Sequence, residues 1–355
     1  MKDWLIDDDR LSIGRKSILP GEGFFRPDSI EEEQAEREAA ETISTAGVIV
    51  VADPDADGLA CTALIREAVG DAALLPTSPH RLQDSFEWIA EYADPDAAIY
   101  VCDLCPDSEY DVDALDRIAD RLASVTWFDH HQWDEDLESQ VREAGVDLTI
   151  GNSDEVCTAD VALAQLDVEF DDRFEDLAAA TRDHDLWIRD DDRSDDLADY
   201  AHWVDPEEYI ETIREHGADL PPEAVEFLAE QRVEKEALIE KAVERAELRE
   251  VGPWTVGVTY GRCSQNEVAE ALREQGSDAA VIVKPAGSAS IRGTENFERC
   301  HEVAAQVNGG GHPKAAGCKP DIYDDMLDYA HHWTTQGAVA KQAIIEGFRR
   351  LADEE

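Results

Sequence analysis

Acidic and histidine side chains stand directly behind short apolar runs of this sequence. The stretch "TWFDHHQW" at 126–133 places Asp129, His130 and His131 after an apolar, β-branched run, in a chain that has only ten histidines. Carboxylate oxygens and imidazole nitrogens bind divalent cations and exchange protons. A single histidine here would be explained as a structural residue, but two behind an aspartate indicate a chemical site.

Two acidic segments follow earlier apolar runs. The segment "DPDADG" places Asp53, Asp55 and Asp57 where the chain turns at Gly58, and Asp103 directly follows "AIYVC". Carboxylates that alternate behind a strand can converge on one cation. An ordinary acidic turn and a helix cap are the alternatives for these two places.

A further acidic segment, "RDHDLW", carries Asp183 and Asp185, whose carboxylates can both point inward, although a solvated acidic loop is the alternative. Together these groups offer oxygen and nitrogen ligands without thiolates, which suits Mn²⁺ or Mg²⁺, and imidazole favours Mn²⁺. A carboxylate shared by two ions would hold them ~3.5–4 Å apart, so that they activate a water for attack on phosphorus.

A glycine-rich segment near the C-terminus has the composition of a phosphate site. In "NGGGHPKAAG", backbone N–H groups of three successive glycines can form an anion-binding concavity. These glycines are Gly309, Gly310 and Gly311. His312 and Lys314, with Arg292 from "SIRG", add positive charge, and a flexible turn is the alternative.

The elements that must position these groups follow an α/β pattern. From residue 47 to about 200, short Val/Ile/Ala runs, acidic turns and helical segments alternate, which predicts a parallel sheet covered on both faces. Ligands of such sheets bind at the carboxyl ends of the strands, where the acidic and histidine residues lie.

The chain length suggests two domains. We predict a parallel-sheet catalytic domain that binds metal, a helical connector and a smaller α/β C-terminal domain that binds substrate. The predicted segments are an N-terminal extension at 1–45, the catalytic domain at 46–204, the connector at 205–250 and the C-terminal domain at 251–355.

The net charge of −52 is distributed unevenly along the chain. Acidic residues number 83 and only 8 of the 31 basic residues are lysine, which predicts adaptation to molar salt rather than binding to cationic partners, because the acidity is not confined to a tail. Residues 251–355 carry 10 basic and 15 acidic side chains, and 255–320 carry 7 of each. That region is suited to approach phosphates.

Other classes of protein are disfavoured. The sequence has neither an apolar run of the ~18 residues that a membrane span needs nor a signal-peptide core, so we expect a cytoplasmic protein with no membrane partner. Seven scattered cysteines indicate reduced thiols. Cys102 and Cys105 lack a second pair at zinc-site spacing.

From about residue 45 onward the chain resembles the DHH phosphoesterase superfamily. "DPDADG", Asp103, "DHH" at 129–131 and "DHDLW" are similar to its motifs in order. "SIRG" and "GGGHPKAAG" resemble the DHH-associated C-terminal domain of RecJ-like nucleases and small-oligonucleotide phosphodiesterases.

The resemblance implies a role for each metal-binding residue. Asp55 would bind the first ion, Asp57 the second, and Asp103 would bridge the two. His130 and Asp185 would complete the ligands of the second ion.

The remaining roles also follow from the resemblance. His131 would lie near the substrate phosphate and Asp129 would orient the histidines. Asp53 would supply the ligand that is missing because Val51 stands where many members have histidine.

For the C-terminal domain, the resemblance implies closure over the metal centre and a grip on the substrate. Arg292, His312 and the amides of the three glycines would bind phosphate. The chain lacks a clear additional nucleic-acid module of the kind that long RecJ enzymes carry, which favours short oligonucleotides over long DNA.

The expected function is that of a phosphodiesterase or exonuclease that acts on single-stranded DNA or RNA or on short oligonucleotides. The expected cofactor is a pair of Mn²⁺ ions, with Mg²⁺ as the alternative metal. A small-molecule phosphoesterase acting on cyclic dinucleotides or phosphoadenosine phosphate is one alternative. The other is a non-catalytic replication scaffold. Replication or repair proteins are candidate partners, and the C-terminal motif disfavours an inorganic pyrophosphatase.

Overall fold

The computed structural model describes residues 28–106, 108–323 and 326–353, with the backbone alone described for 28–31 and for residue 80. The described chain divides into two compact units. We call Glu33–Ala229 the N-terminal unit and the part from Glu230 onward the C-terminal unit.

The N-terminal unit is built on a five-stranded sheet. The strands are β1 (Val48–Ala52), β2 (Ala73–Pro76), β3 (Ala98–Cys102), β4 (Ser124–Asp129) and β5 (Asp147–Ile150). The helices are α1 (Asp28–Ile43), α2 (Ala56–Val69), α3 (Leu82–Tyr92), α4 (Leu115–Arg121), α5 (Glu135–Glu143), α6 (Thr158–Gln165), α7 (Asp172–Asp185), α8 (Asp192–Trp203), α9 (Pro206–His216) and α10 (Pro222–Glu244), the last of which continues into the C-terminal unit.

All five strands are parallel, in the order β2-β1-β3-β4-β5. Alternate residues of β1 enter opposite cores: Val50 packs with α2 and α6 to α9, and Ile49 packs with α1 and α3 to α5. Burial on both faces explains why the strands are continuously apolar, and the predicted α/β class with a parallel sheet is confirmed.

The strand order reverses at β1, because β2 lies on one side of it and β3 on the other. The segments that leave β1 and β3 therefore diverge, which opens a crevice at the carboxyl edge of the sheet. Asp53 to Asp57 and Asp103 lie at this edge, immediately after β1 and β3.

The C-terminal unit contains a six-stranded mixed sheet in the order β10-β11-β9-β8-β7-β6, in which only β7 and β8 are parallel neighbours. Its strands are β6 (Glu247–Val251), β7 (Trp254–Tyr260), β8 (Ala279–Val283), β9 (Ala289–Gly293), β10 (Gly309–Gly311) and β11 (Ala315–Cys318). Its helices are α11 (Gln265–Glu274), α12 (Cys300–Ala305), α13 (Met326–Thr334) and α14 (Ala338–Asp353).

The predicted segment at 205–250 contains α9, α10 and part of β6. Tyr209 and Ile213 of α9 are buried in the N-terminal core, and β6 pairs with β7. The charged surface of this segment concealed its buried face. Of the predicted extension at 1–45, α1 packs Ile43 against the sheet, and 1–27 lie outside the described residues.

In the described part of the chain, no helix has both the length and the apolar character that crossing a membrane requires.

Candidate metal centre

The turn after β1 is shaped by a cap and a close approach. Asp55 begins α2: its Oδ1 accepts hydrogen bonds from the N–H groups of Asp57 and Gly58, each at 3.0 Å. A Cβ at Gly58 would collide with the backbone of Asp53. Glycine is thus needed for the turn that places three aspartates side by side, and Asp55 serves as a helix cap there.

Asp57 and Asp103 are buried and share a hydrogen-bonding partner. The Asp57 carboxylate accepts hydrogen bonds from the N–H groups of Thr158, at 2.7 Å, and Ala159, at 2.8 Å, at the first turn of α6. The Thr158 hydroxyl donates to Asp103 Oδ1 at 2.9 Å. Asp103 has a φ of 58°, an uncommon left-handed conformation for a residue other than glycine.

His130 carries a buried nitrogen among three carboxylates. Its Nε2 lies 3.2 Å from Asp185 Oδ2, 3.7 Å from Asp103 Oδ1 and 4.0 Å from Asp57 Oδ2. Within the described residues this nitrogen makes no aligned hydrogen bond. Burial, with the charge of His131, lowers the pKa of His130 and favours the neutral imidazole, which is the form that binds metals.

His131 is held by a fully buried aspartate. Asp129 Oδ1 lies 2.8 Å from His131 Nδ1, and its Oδ2 accepts a hydrogen bond of 2.5 Å from Trp133 Nε1. Burial lowers the pKa of His131, but the hydrogen bond to Asp129 and the nearby carboxylates outweigh burial and raise it to about 9. The arrangement keeps a half-exposed imidazolium at the edge of the site.

The two aspartates of "DHDLW" have different surroundings. Asp185, the last residue of α7, approaches His130, whereas the Asp183 carboxylate accepts a hydrogen bond of 2.9 Å from the N–H of Asp190. The Asp183 carbonyl also accepts hydrogen bonds from Ile188 and Arg189. Asp183 therefore organises the turn after α7, and its second carboxylate oxygen, Oδ2, is buried without a hydrogen-bond partner among the described residues.

Crowding raises the pKa values of the clustered carboxyls. Burial, followed by the charge of Asp55, raises the pKa of Asp53 to about 7 and that of Asp57 to about 6. Burial and the charges of Asp57 and Asp55 raise the pKa of Asp185 to about 8, and that of Asp103 lies well above its usual range for the same reasons. Burying several carboxylates together is unfavourable unless a cation neutralises them.

The residues present fit a divalent metal. Candidate ligand atoms of Asp57, His130 and Asp185 lie within 4.8 Å of one another, as do those of Asp103, His130 and His131. Asp55 raises the pKa of Asp57 through its charge, and the charges of Asp55 and His131 act on the carboxyl of Asp53. The carboxylates supply oxygen ligands and the imidazoles supply nitrogen ligands, among them His130 Nε2, which makes no aligned hydrogen bond among the described residues. Mn²⁺ and Mg²⁺ accept such ligands.

Two residues of the site were not predicted. Thr158 begins α6 in "CTAD", where Asp160 completes a capping box with Cys157, a pattern that marks a helix start in the sequence but not its neighbours in space. Trp133 lies four residues after Asp129, and its indole has no sequence signal that links it to a carboxylate.

In the C-terminal unit, the three glycines predicted to bind phosphate lie in a strand. Gly309 to Gly311 form the extended edge strand β10, paired with β11, and a Cβ at Gly309 or Gly311 would collide with β11. Close strand packing therefore explains the glycines. His312 lies in the turn between the two strands, and Lys314 is 3.1 Å from Glu298, which offsets its charge.

Arg292 has neutral partners. Its Nε donates to Asn266 Oδ1 at 2.9 Å, and its Nη1 donates to the carbonyl oxygens of Ile291 and Ala316 at 3.2 and 3.4 Å. Within the described parts of the chain, no carboxylate pairs with this guanidinium. A cation without a carboxylate partner is a candidate ligand for an anion.

By sequence, the chain matches no protein-family profile and no curated protein. By structure, it is similar to exonuclease RecJ bound to manganese, with 16% identity, coverage of 93% of this chain and 96% of that chain, and a TM-score of 0.53. It is also similar to RecJ from Thermus thermophilus in complex with Mn²⁺, with 15% identity, coverage of 98% of this chain and 57% of that chain, and a TM-score of 0.56.

A third similar structure is the pGpG-specific phosphodiesterase PggH from Vibrio cholerae, with 13% identity, coverage of 83% of this chain and 98% of that chain, and a TM-score of 0.51. The chain spans 57% of the Thermus RecJ but nearly all of PggH. These likenesses show that the chain shares its fold with RecJ and PggH.

Proposed function

From the fold that the chain shares with RecJ and PggH, we propose that it is a metal-dependent phosphodiesterase that removes nucleotides from an end of single-stranded nucleic acid or short oligonucleotides. One observation carries the proposal: His130 Nε2 is buried without an aligned hydrogen bond among the carboxylates of Asp57, Asp103 and Asp185.

The proposal assigns two Mn²⁺ ions to this cluster, with Mg²⁺ as the alternative metal. Asp57, His130 and Asp185 would hold one ion, Asp55 and Asp53 would help to hold the second, and Asp103 would contribute to the binding of both. When bound, such ions polarise the phosphate and lower the pKa of water. The protein itself supplies the fixed arrangement of the ligands and their burial.

His131 and Asp129 are proposed to act on the substrate side. Asp129, held by Trp133, fixes the imidazole through Nδ1, which leaves Nε2 directed away from that hydrogen bond. With its pKa raised to about 9, His131 is cationic at neutral pH. It therefore binds a phosphate oxygen and can donate a proton to the leaving oxygen.

Arg292 is proposed to bind a substrate phosphate in the C-terminal unit, with His312 and the amides of Gly309 to Gly311 assisting. The support is its set of neutral partners in a chain with 83 acidic residues. Arginine suits this role because its planar guanidinium matches phosphate oxygens.

A product time course tests the function. Matched single-stranded RNA and DNA, as 2-mers and 20-mers labelled at either end, are incubated with Mn²⁺ in molar KCl. We expect stepwise release of mononucleotides, and a loss of at least roughly 100-fold in Asp103→Ala. Absence of any released nucleotide from the wild-type protein would contradict the proposal, and wild-type turnover by Asp103→Ala would contradict the site.

The same assay includes Arg292→Ala. Removal of a phosphate contact that is equal in the ground and transition states raises KM by about tenfold and leaves kcat unchanged. Arg349→Ala is the control, because Arg349 is a half-exposed residue of α14 that pairs with Glu346. A fall in kcat alone would show instead that Arg292 contacts the substrate only in the transition state.

A second candidate function is hydrolysis of dinucleotides or other small phosphoesters. The observation that favours it is the coverage of 98% of PggH, a pGpG-specific enzyme. Turnover confined to the 2-mers would select this function. Metal binding without any hydrolysis, together with co-purification of replication proteins, would favour a scaffold.

A further inference from the structure

Thr158 contacts two of the buried aspartates at once. Its N–H donates to Asp57 Oδ2 at 2.7 Å, and its hydroxyl donates to Asp103 Oδ1 at 2.9 Å. Its side chain is fully buried. Asp57 follows β1 and Asp103 follows β3, so one residue at the start of α6 joins the two segments that flank the crevice.

We propose that Thr158 is a positioning residue for the metal centre, which fixes the Asp103 carboxylate relative to Asp57. The inference rests on the proposed metal-dependent function, since it concerns how the ligands are held. It adds a residue that neither the sequence motifs nor the ligand set contains.

The two hydrogen bonds have different origins. The N–H contact to Asp57 belongs to the backbone and is retained whatever side chain stands at 158. The hydroxyl contact to Asp103 depends on threonine or serine. Substitution of the side chain therefore tests the Asp103 contact alone, because Asp57 keeps its hydrogen bonds to the N–H groups in the first turn of α6.

Asp103 is the ligand that most needs such a contact. Its backbone has a φ of 58° directly after β3, and its carboxylate is surrounded by the charges of Asp57, Asp55 and Asp129. The Thr158 hydroxyl holds this carboxylate in place, so the ligand is arranged before the ion arrives.

A purely structural role for Thr158 predicts something else. If the residue only fills space in the core, valine of the same shape replaces it without effect on metal binding. Thr181 offers the matched comparison, because it is buried to 1% exposure in the adjacent α7 and its hydroxyl has no hydrogen-bond partner among the described residues.

The experiment compares Thr158→Val, Thr158→Ser and Thr181→Val with the wild-type protein. Mn²⁺ affinity is measured from the electron paramagnetic resonance of free Mn²⁺ in molar KCl, and thermal unfolding is measured without metal. We expect Thr158→Val to weaken Mn²⁺ binding by roughly 10–100-fold, as loss of a ligand's hydrogen-bonding partner does. Thr158→Ser and Thr181→Val should bind as the wild type does.

If Thr158→Val does not fold, Thr158→Ala is compared with Thr158→Ser, since those two side chains differ only in the hydroxyl. Wild-type Mn²⁺ affinity in the variant without the hydroxyl, or an equal loss in Thr181→Val, would overturn the inference. The outcome of this experiment is separate from that of the proposed function. A protein whose Mn²⁺ affinity depends on the Thr158 hydroxyl, but which hydrolyses nothing, would support the role of Thr158 and contradict the proposed function.

Discussion

The charge state of a few clustered carboxyl groups couples the proposed metal centre to the stability of the fold. In the metal-free protein, burial and neighbouring charges raise the pKa of Asp57 to about 6, of Asp53 to about 7 and of Asp185 to about 8. The unfolded chain releases these protons near pH 4. The folded state therefore holds more protons than the unfolded state between these values, and its stability falls as the pH rises through them.

We predict that the free energy of unfolding of the metal-free protein decreases from about pH 4 to about pH 9, because the unfolded carboxyls lose their protons near pH 4 and the folded groups lose theirs only at the raised pKa values. His131 acts in the same direction, because its pKa is raised to about 9 and its contribution is lost as the pH rises through that value. Denaturant unfolding with EDTA at fixed KCl measures the slope. Added Mn²⁺ should make the free energy of unfolding depend less on pH, since the ion replaces the protons. In the metal-free protein, Asp185→Asn should also reduce this dependence, because it removes one of the titrating groups.

At the residue scale, the sequence indicated which acidic and histidine side chains lie together, but not which other side chains contact them. Asp57, His130 and Asp185 came together as expected, because each follows or ends an element that points to the same edge. Thr158 and Trp133 were not found, because their contacts depend on tertiary structure.

At the scale of elements, the site depends on the turn from β1 into α2. Gly58 is the residue on which this turn depends, since any side chain there would collide with the backbone of Asp53. The sequence identified this glycine from its place after the aspartates. The strand β10 was not predicted, because a run of glycines is compatible with both a turn and a closely packed strand, and only the register with β11 distinguishes them.

We predict that Gly58→Ala destabilises the fold by about 1–3 kcal/mol, the usual cost of forcing an atom into a packed site. Urea unfolding at constant KCl measures the change. Gly47→Ala is the control, because Gly47 lies just before β1 and a Cβ there would meet nothing within 4 Å among the described atoms. Equal effects of the two substitutions would show that the turn does not require glycine.

At the scale of the whole molecule, charge has the largest influence on how the fold responds to its solvent. Of the net −52, residues 1–250 carry −47 and residues 251–355 carry −5. The repulsion that this charge produces acts over the Debye length, which falls from roughly 10 Å at 0.1 M salt to roughly 3 Å at 1 M.

We predict that the midpoint of thermal unfolding rises as KCl increases from about 0.1 M to about 2 M, because screening removes the self-repulsion of the folded state. Sucrose at matched osmolality is the control, since it stabilises proteins by exclusion without screening charge. A midpoint that responds equally to sucrose and KCl would argue against charge as the cause.

The ligands of the proposed centre come from the ends of β1, β3, β4 and α7, which are far apart along the chain. No short segment contains a complete site, so the unfolded chain has little affinity for the ion and the ion cannot nucleate folding. Metal uptake is then a late event that reports on the assembled sheet. Chain topology thereby restricts the proposed metal centre to molecules that have already folded.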